Sequence, residues 1–374
     1  MKKVSVIILL IIGICFVGCG EKDKIEFKNI VDEKNLKVTE ILLDRDDIPI
    51  NAVKNSEHFF YVISGYDTGM EGKVYDYNLT TKKLKQISKS AYGMESTYNG
   101  ITCNENWMIF YEGNTMLSEA NLKVYDIAKE EFFDIEKVEE KDGAWYFERA
   151  VLYQDFLIRV DRESEIEKKH IKIYDLNSKE EEIIFTTDLE DTFLSRPRVF
   201  DDKILWITKD GEDSYLYSYF LETKRIEEEK LKIANSKIYA GICYASNEYI
   251  IISEENSIIK YEFGTKEEKI LSNEGLSFFV GSNKLISRNT LDKTKYKEEE
   301  HKKYLWTNSI ENDEVISQKL GWPNEEIIGL KDERIQLIWP NYSKDGVFVE
   351  VSYYENNQRK YKFYEIYANE DTSK

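Results

Sequence analysis

Seven short segments of this 374-residue chain share one order: an apolar residue, an aromatic, often an acid, another apolar residue, then a polar turn. They read Lys73-Val-Tyr-Asp-Tyr-Asn, Lys123-Val-Tyr-Asp-Ile-Ala, Lys172-Ile-Tyr-Asp-Leu-Asn, Leu216-Tyr-Ser-Tyr-Phe, Ile259-Lys-Tyr-Glu-Phe-Gly, Leu305-Trp-Thr-Asn and Lys362-Phe-Tyr-Glu-Ile-Tyr. Aligned on Tyr75, Tyr125, Tyr174, Tyr217, Tyr261, Trp306 and Tyr364, they lie 50, 49, 43, 44, 45 and 58 residues apart. About 40 to 50 residues is the length of four short strands with their turns. No segment sustains a 3.6-residue apolar period, so helices should be few.

The third unit shows the expected local order. Phe156 to Val160 reads as a strand, Asp161 to Lys168 as a turn, and Ile171 to Leu176 as the signature strand. Asn177-Ser178-Lys179 turns the chain, with Asn and Ser tolerating left-handed backbone, and Glu182 onward closes the unit. The content of 26 Tyr, 18 Phe and 6 Trp against 4 Pro favours strands throughout. The expected fold is all-β, a seven-bladed β-propeller, with six or eight blades as alternatives. The seventh unit ends soon after its signature strand, and Leu36-Lys-Val-Thr-Glu-Ile-Leu-Leu is a lone alternating strand. Residues 38–44 should therefore pair beside residues 361–366 and complete the last blade, which protects two open edges. The repeat resembles that of TolB-like and related bacterial lipoproteins over about residues 38–367. That resemblance implies architecture and leaves function open, because propellers host unrelated activities.

The N-terminus carries a different signal. Lys2 and Lys3 precede a run, Val4 to Val17, that is almost wholly apolar and too short for a comfortable membrane span. Phe16-Val17-Gly18-Cys19 follows, then polar residues. This ending resembles the bacterial lipoprotein signal, which implies cleavage before Cys19 and a diacylglycerol on its thiol. Two acyl chains make a stable anchor. The expected organisation is a signal peptide at 1–18, a lipidated tether at 19–35 and the propeller at 36–374. The expected location is the extracytoplasmic face of the cell membrane.

Charge excludes two classes of partner. The chain carries 52 basic and 71 acidic residues, a net charge of −19. Such a surface repels phosphate, so it resists both nucleic acid and anionic lipid headgroups. After Cys19 only Cys103 and Cys243 remain. On inner strands of blades three apart they exceed bridging distance, so both should be buried free thiols.

The search for chemistry returns little. His58, His170 and His301 sit in different units without ligand spacing, and read as surface or strand-edge residues. No nucleophile elbow, phosphate loop or calcium loop is present. Asp44-Arg-Asp-Asp47 and Asp210-Gly-Glu-Asp213 read as solvated turns. No cofactor or metal is expected. The face bearing the loops between units and the loops between second and third strands offers five binding candidates: Tyr66, Tyr92, Trp145 and Trp322 as flat faces for a sugar or peptide, and Arg196 for an anionic group. Packing between blades is the competing role for the aromatics, and an ion pair for Arg196. The expected function is non-enzymatic binding or scaffolding, with an envelope protein or glycan as partner. The alternative is a carbohydrate- or peptide-processing enzyme with carboxylates in the central funnel.

Overall fold

The computed structural model describes residues 25–33, 36–43, 49–114, 119–139, 150–163, 168–188, 192–232, 241–254, 257–272, 278–281, 284–287, 306–311, 314–319, 336–342, 347–355 and 358–367. Their strands form seven antiparallel sheets. Six are consecutive in sequence: sheet 1 (49–89), sheet 2 (96–139), sheet 3 (151–188), sheet 4 (192–231), sheet 5 (241–272) and sheet 6 (278–319). Sheet 7 joins both ends of the chain, ordered Gln336–Tyr342, Val347–Glu355, Gln358–Tyr367, Leu36–Leu43 and Ile25–Glu33. Innermost strands touch from sheet 1 round to sheet 6, and sheets 6 and 1 both touch sheet 7, closing the ring.

All seven signature aromatics fall on the third strand of a sheet. Each pairs with a residue of the second strand: Tyr75 with Tyr61, Tyr125 with Met108, Tyr217 with Trp206, Tyr364 with Val349. The Tyr61 and Tyr75 rings stack at 5.0 Å, and Trp206 on Tyr217 at 5.4 Å. The second strands of sheets 1, 2, 4 and 5 are buried on both faces, because each of these sheets is packed between two others. Strand alternation then divides one apolar run between two cores. In His58–Ile63, Phe59, Tyr61 and Ile63 join the layer against sheet 7, while Phe60 and Val62 join the layer against sheet 2. In Lys203–Asp210, Ile204 and Trp206 face sheet 3, and Leu205 and Ile207 face sheet 5.

The expected closure is present in register: Val38 lies opposite Ile366, Glu40 opposite Tyr364 and Ile41 opposite Phe363. Lys54 of sheet 1 donates to both carboxylate oxygens of Glu365, at 2.6 and 2.7 Å, although the two residues are 311 apart in sequence. The chain enters the sheet earlier than expected. Within the stretch assigned to a tether, Ile25–Glu33 is a strand paired with Leu36–Leu43. Its alternate residues Ile25 and Phe27 pack into the layer between sheets 7 and 1, which is why it folds back rather than hanging free.

Two kinds of turn recur. Before the outermost strand of sheets 1 to 5, a non-glycine residue holds left-handed backbone: Lys82, Glu130, Lys179, Lys224 and Lys266. In the third unit that residue is Lys179, not Asn177, because Asp175 captures the Asn177 and Ser178 amides and its carbonyl accepts the Lys179 N–H at 2.8 Å. The turn after the innermost strand reaches the next sheet. Asn55 Nδ2 donates to Asn104 O at 2.9 Å, Asn104 Nδ2 to Gln154 O at 2.7 Å, and the Tyr153 hydroxyl to Asp201 O. These turns form the turn face of the ring. The opposite, loop face carries the connections between sheets and the loops between second and third strands.

Candidate functional site

On the loop face, the loop after Ile63 and the connection between sheets 1 and 2 pack together. The first makes a single helical turn, Gly65–Thr68, and the second a 3-10 turn, Gly93–Glu95. Three buried serines bind the two. Ser64 Oγ donates to Ser96 O at 2.9 Å, Gly65 N donates to Ser96 Oγ at 2.9 Å, and Ser90 N donates to Gly72 O at 2.8 Å. Gly72 N donates to Gly93 O at 3.1 Å. Two glycines are required by this closeness: a Cβ on Gly72 would lie 1.9 Å from Ser96 Oγ, and one on Gly65 would lie 2.4 Å from Gly93 O. Beneath them Glu112, 1% exposed, accepts the Ala91 amide at 3.1 Å and pairs with Lys123 at 3.3 Å.

This rigid base presents apolar side chains to solvent. Tyr66 is 68% exposed, Met94 65% and Met70 42%. Among the described residues the remaining exposed large apolar side chains, Ile183, Ile226 and Ile270, stand singly on outermost strands of sheets 3, 4 and 5. The corner therefore concentrates what the rest of the described surface scatters. Tyr66 and Tyr92 are the two candidates that the fold brings together. Tyr92 is half-buried and its hydroxyl accepts from Asn121 Nδ2 at 3.3 Å, so it belongs to the support. The two methionines were not singled out from sequence. The signal was available, since Gly69-Met70-Glu71 and Gly93-Met94-Glu95 repeat one tripeptide, each opened by a glycine at positive φ.

Arg196 lies elsewhere, between the two innermost segments of sheet 4, and donates to Ala150 O at 3.5 Å. Cys19, Trp145, Trp322, His301 and Asp44 to Asp47 lie outside the described residues. The buried ionisable groups have partners. His58 Nδ1 bonds the Asp76 carboxylate at 2.8 Å; burial lifts Asp76 above the usual carboxylate range against the pull of His58. His170 is buried within Lys168–Asp175 and bonds Thr186 Oγ1 at 2.9 Å, so it is no surface residue. Cys103 is buried, Cys243 half-buried, and both are free thiols on innermost strands. Burial pushes the Cys243 thiol up to about 12 and Cys103 up as well, which makes both poor nucleophiles. Among the described residues no cluster of His, Cys, Asp and Glu is arranged to hold a metal.

No protein-family model and no curated protein matches this chain. Solved structures do. An oligogalacturonate lyase in complex with manganese aligns over 94% of this chain and 100% of its own, with TM-score 0.54 and 12% identity. The β-propeller domain of the Trilobed protease from Pyrococcus furiosus aligns over 84% of this chain and 97% of its own, with TM-score 0.50 and 16% identity. TolB from Acinetobacter baumannii covers 88% of this chain and 80% of its own at TM-score 0.40 and 11% identity, too distant to argue from. The chain is a β-propeller. At these identities the likeness speaks for the fold alone.

The turn face of the propeller carries a second concavity, a cleft of about 780 Å3 between sheets 3 and 4. Tyr153, Phe156 and Tyr219 lie among seven carboxylates and a single lysine, Lys224. Two of the acids are paired with cations, Glu181 with Arg159 at 2.7 Å and Lys172 at 3.1 Å, and Glu182 with Lys224 at 2.6 Å. The cleft favours cations over anions.

Proposed function

We propose that this propeller is a lipid-anchored, extracytoplasmic protein that works by binding rather than by catalysis. Cys19 is the anchored residue, and the corner of Tyr66, Met70 and Met94 is the contact surface. The observation that carries the reading is the corner itself. Two glycines, three buried serines and a buried Glu112–Lys123 pair hold three exposed apolar side chains on a fixed base. Such preorganisation lowers the cost of ordering a contact on binding.

The second reading, a carbohydrate- or peptide-processing enzyme, has the acidic cleft in its favour. Against it, the buried acids among the described residues have partners: Glu112 pairs with Lys123, Glu365 with Lys54, Asp126 with Lys129 and Asp76 with His58, and Glu254 accepts from Ser257 Oγ.

The test has two arms. Cys19→Ala should move the protein from the membrane fraction to the soluble one; unchanged fractionation removes the anchor. Residues 20–374, assayed on acidic oligosaccharides and proline-containing peptides, should release no product, and turnover lost on neutralising cleft acids would establish the enzyme instead.

A further inference from the structure

We infer that the corner of Tyr66, Met70 and Met94 rests in the interfacial layer of the membrane that carries the Cys19 lipid, so that the propeller lies with its loop face against the bilayer. This deepens the proposed function and rests on its lipid anchor.

The argument begins with strand direction. Pro49 lies opposite Ile63, and Gly65 follows Ile63, so the start of sheet 1 and the corner share the loop face. Leu43 ends the strand that leads into Pro49, and Ile25 lies opposite Leu43. Ile25 is therefore also at the loop face. It packs in the same core layer as Ile63, two residues before Gly65. The end of the chain that bears Cys19 thus enters the fold on the corner's own face and against sheet 1, which carries one of the corner's two loops.

Chain length makes that placement restrictive. Only residues 20–24 separate Cys19 from Ile25. Fully extended, that link spans about 20 Å. A tether running to residue 35 would leave the propeller free to turn over; this one does not. The face nearest the lipid is the loop face, and it holds every exposed large apolar side chain that is clustered among the described residues.

The side chains suit such a layer. Tyrosine combines an apolar ring with a hydroxyl that stays hydrated, and methionine fills irregular apolar space. Amphipathic surfaces of this kind enter the headgroup boundary by about 5–10 Å. Glu71, beside Met70, is neutralised by Lys89 at 3.0 Å. A second copy of this chain is a poor occupant, because two bodies of charge −19 repel. In this orientation the acidic cleft on the turn face points away from the headgroups.

The experiment uses the full lipidated chain, purified from membranes and placed in zwitterionic phosphatidylcholine vesicles with no other protein. A photo-cross-linking residue replaces Tyr66, Met94 or, on the turn face, Ser178. Vesicle flotation and the mass of each adduct are read together. Flotation with lipid adducts at 66 and 94 and none at 178 is the expected result. Flotation with no lipid adduct at 66 and 94, or with equal yields at all three positions, overturns the orientation while leaving the anchor intact. Failure to float, with lipid absent from the Cys19 peptide, removes the anchor and the orientation with it. The triple variant Tyr66→Ser, Met70→Ser, Met94→Ser should still float while losing protection of the 65–72 and 90–96 amides from hydrogen exchange. Undiminished protection would count against the contact.

Discussion

At the scale of single residues, the repeat stores a small backbone strain in each of its first five units. Lys82, at φ 57°, is fully solvent-facing and its amide closes the turn onto Asn78 O at 2.9 Å. Left-handed backbone costs a side-chain-bearing residue roughly 1–2 kcal/mol, part of which glycine returns through its greater freedom when unfolded. Lys82→Gly should therefore stabilise the protein by about 0.5–1 kcal/mol in urea unfolding. The reverse case is Gly72→Ala, whose new methyl would collide with Ser96 Oγ. It should cost about 1–3 kcal/mol and loosen the corner, visible as faster hydrogen exchange at 90–96. Charge gives a third expectation. Burial raises the Glu181 carboxyl, but its bond and charge contact with Arg159, and then Lys172, outweigh that and hold it below the ordinary glutamate value. A lowered folded value means stabilisation that is present above about pH 4.3 and lost as pH falls through the folded value. Glu181→Gln should flatten the acid limb of the stability curve below that pH and leave its shape above neutrality unchanged.

At the scale of elements, closure depends on what the N-terminal strands add to sheet 7. Removing residues 25–33 takes away Ile25 and Phe27, whose ring meets Phe59 edge-on at 5.6 Å, but leaves the pairing of 36–43 with 358–367. Such a chain should fold with a lower melting temperature. Starting at residue 49 removes the pairing as well and exposes the edge of Gln358–Tyr367, so soluble yield should fall sharply. Equal behaviour of the two truncations would show that the register is not what closes the ring. The signature strands were legible from sequence because a strand packed between two neighbours carries a strong apolar and aromatic pattern. The outer strand Ile25–Glu33 was not, because Glu26, Lys28 and Asn29 face solvent and give it the composition of a tether. The same physics hid Met70 and Met94. Function at an exposed corner lies in side chains that break the burial rule, and a pattern built on burial passes over them. His170 was misread for the opposite reason: a polar residue inside a strand is satisfied locally by Thr186, which spacing along the chain does not reveal.

At the scale of the whole molecule, the apolar interior of the described residues is a succession of layers from sheet 7 round to sheet 5, each shared by two sheets, rather than one central core. Opening any layer strips its neighbours, so unfolding should be cooperative despite the repeat. The two thiols test this, since Cys103 and Cys243 lie in sheets 2 and 5. Native protein should resist alkylation at both, and in rising denaturant both should become reactive at one midpoint; two midpoints would mean that parts of the ring open separately. The turn-face hydrogen bonds carry a further consequence. Asn55 grips a residue 49 positions on, and Asn104 one 50 positions on. Donor and acceptor are thus one unit apart, and in the first units each brings a hand for the next and a hold for the previous one. A tandem duplication in the gene would insert a blade already joined to both sides, and a deletion of one period would let the remaining hands meet. Heredity can lengthen or shorten such a ring one link at a time without designing a new joint.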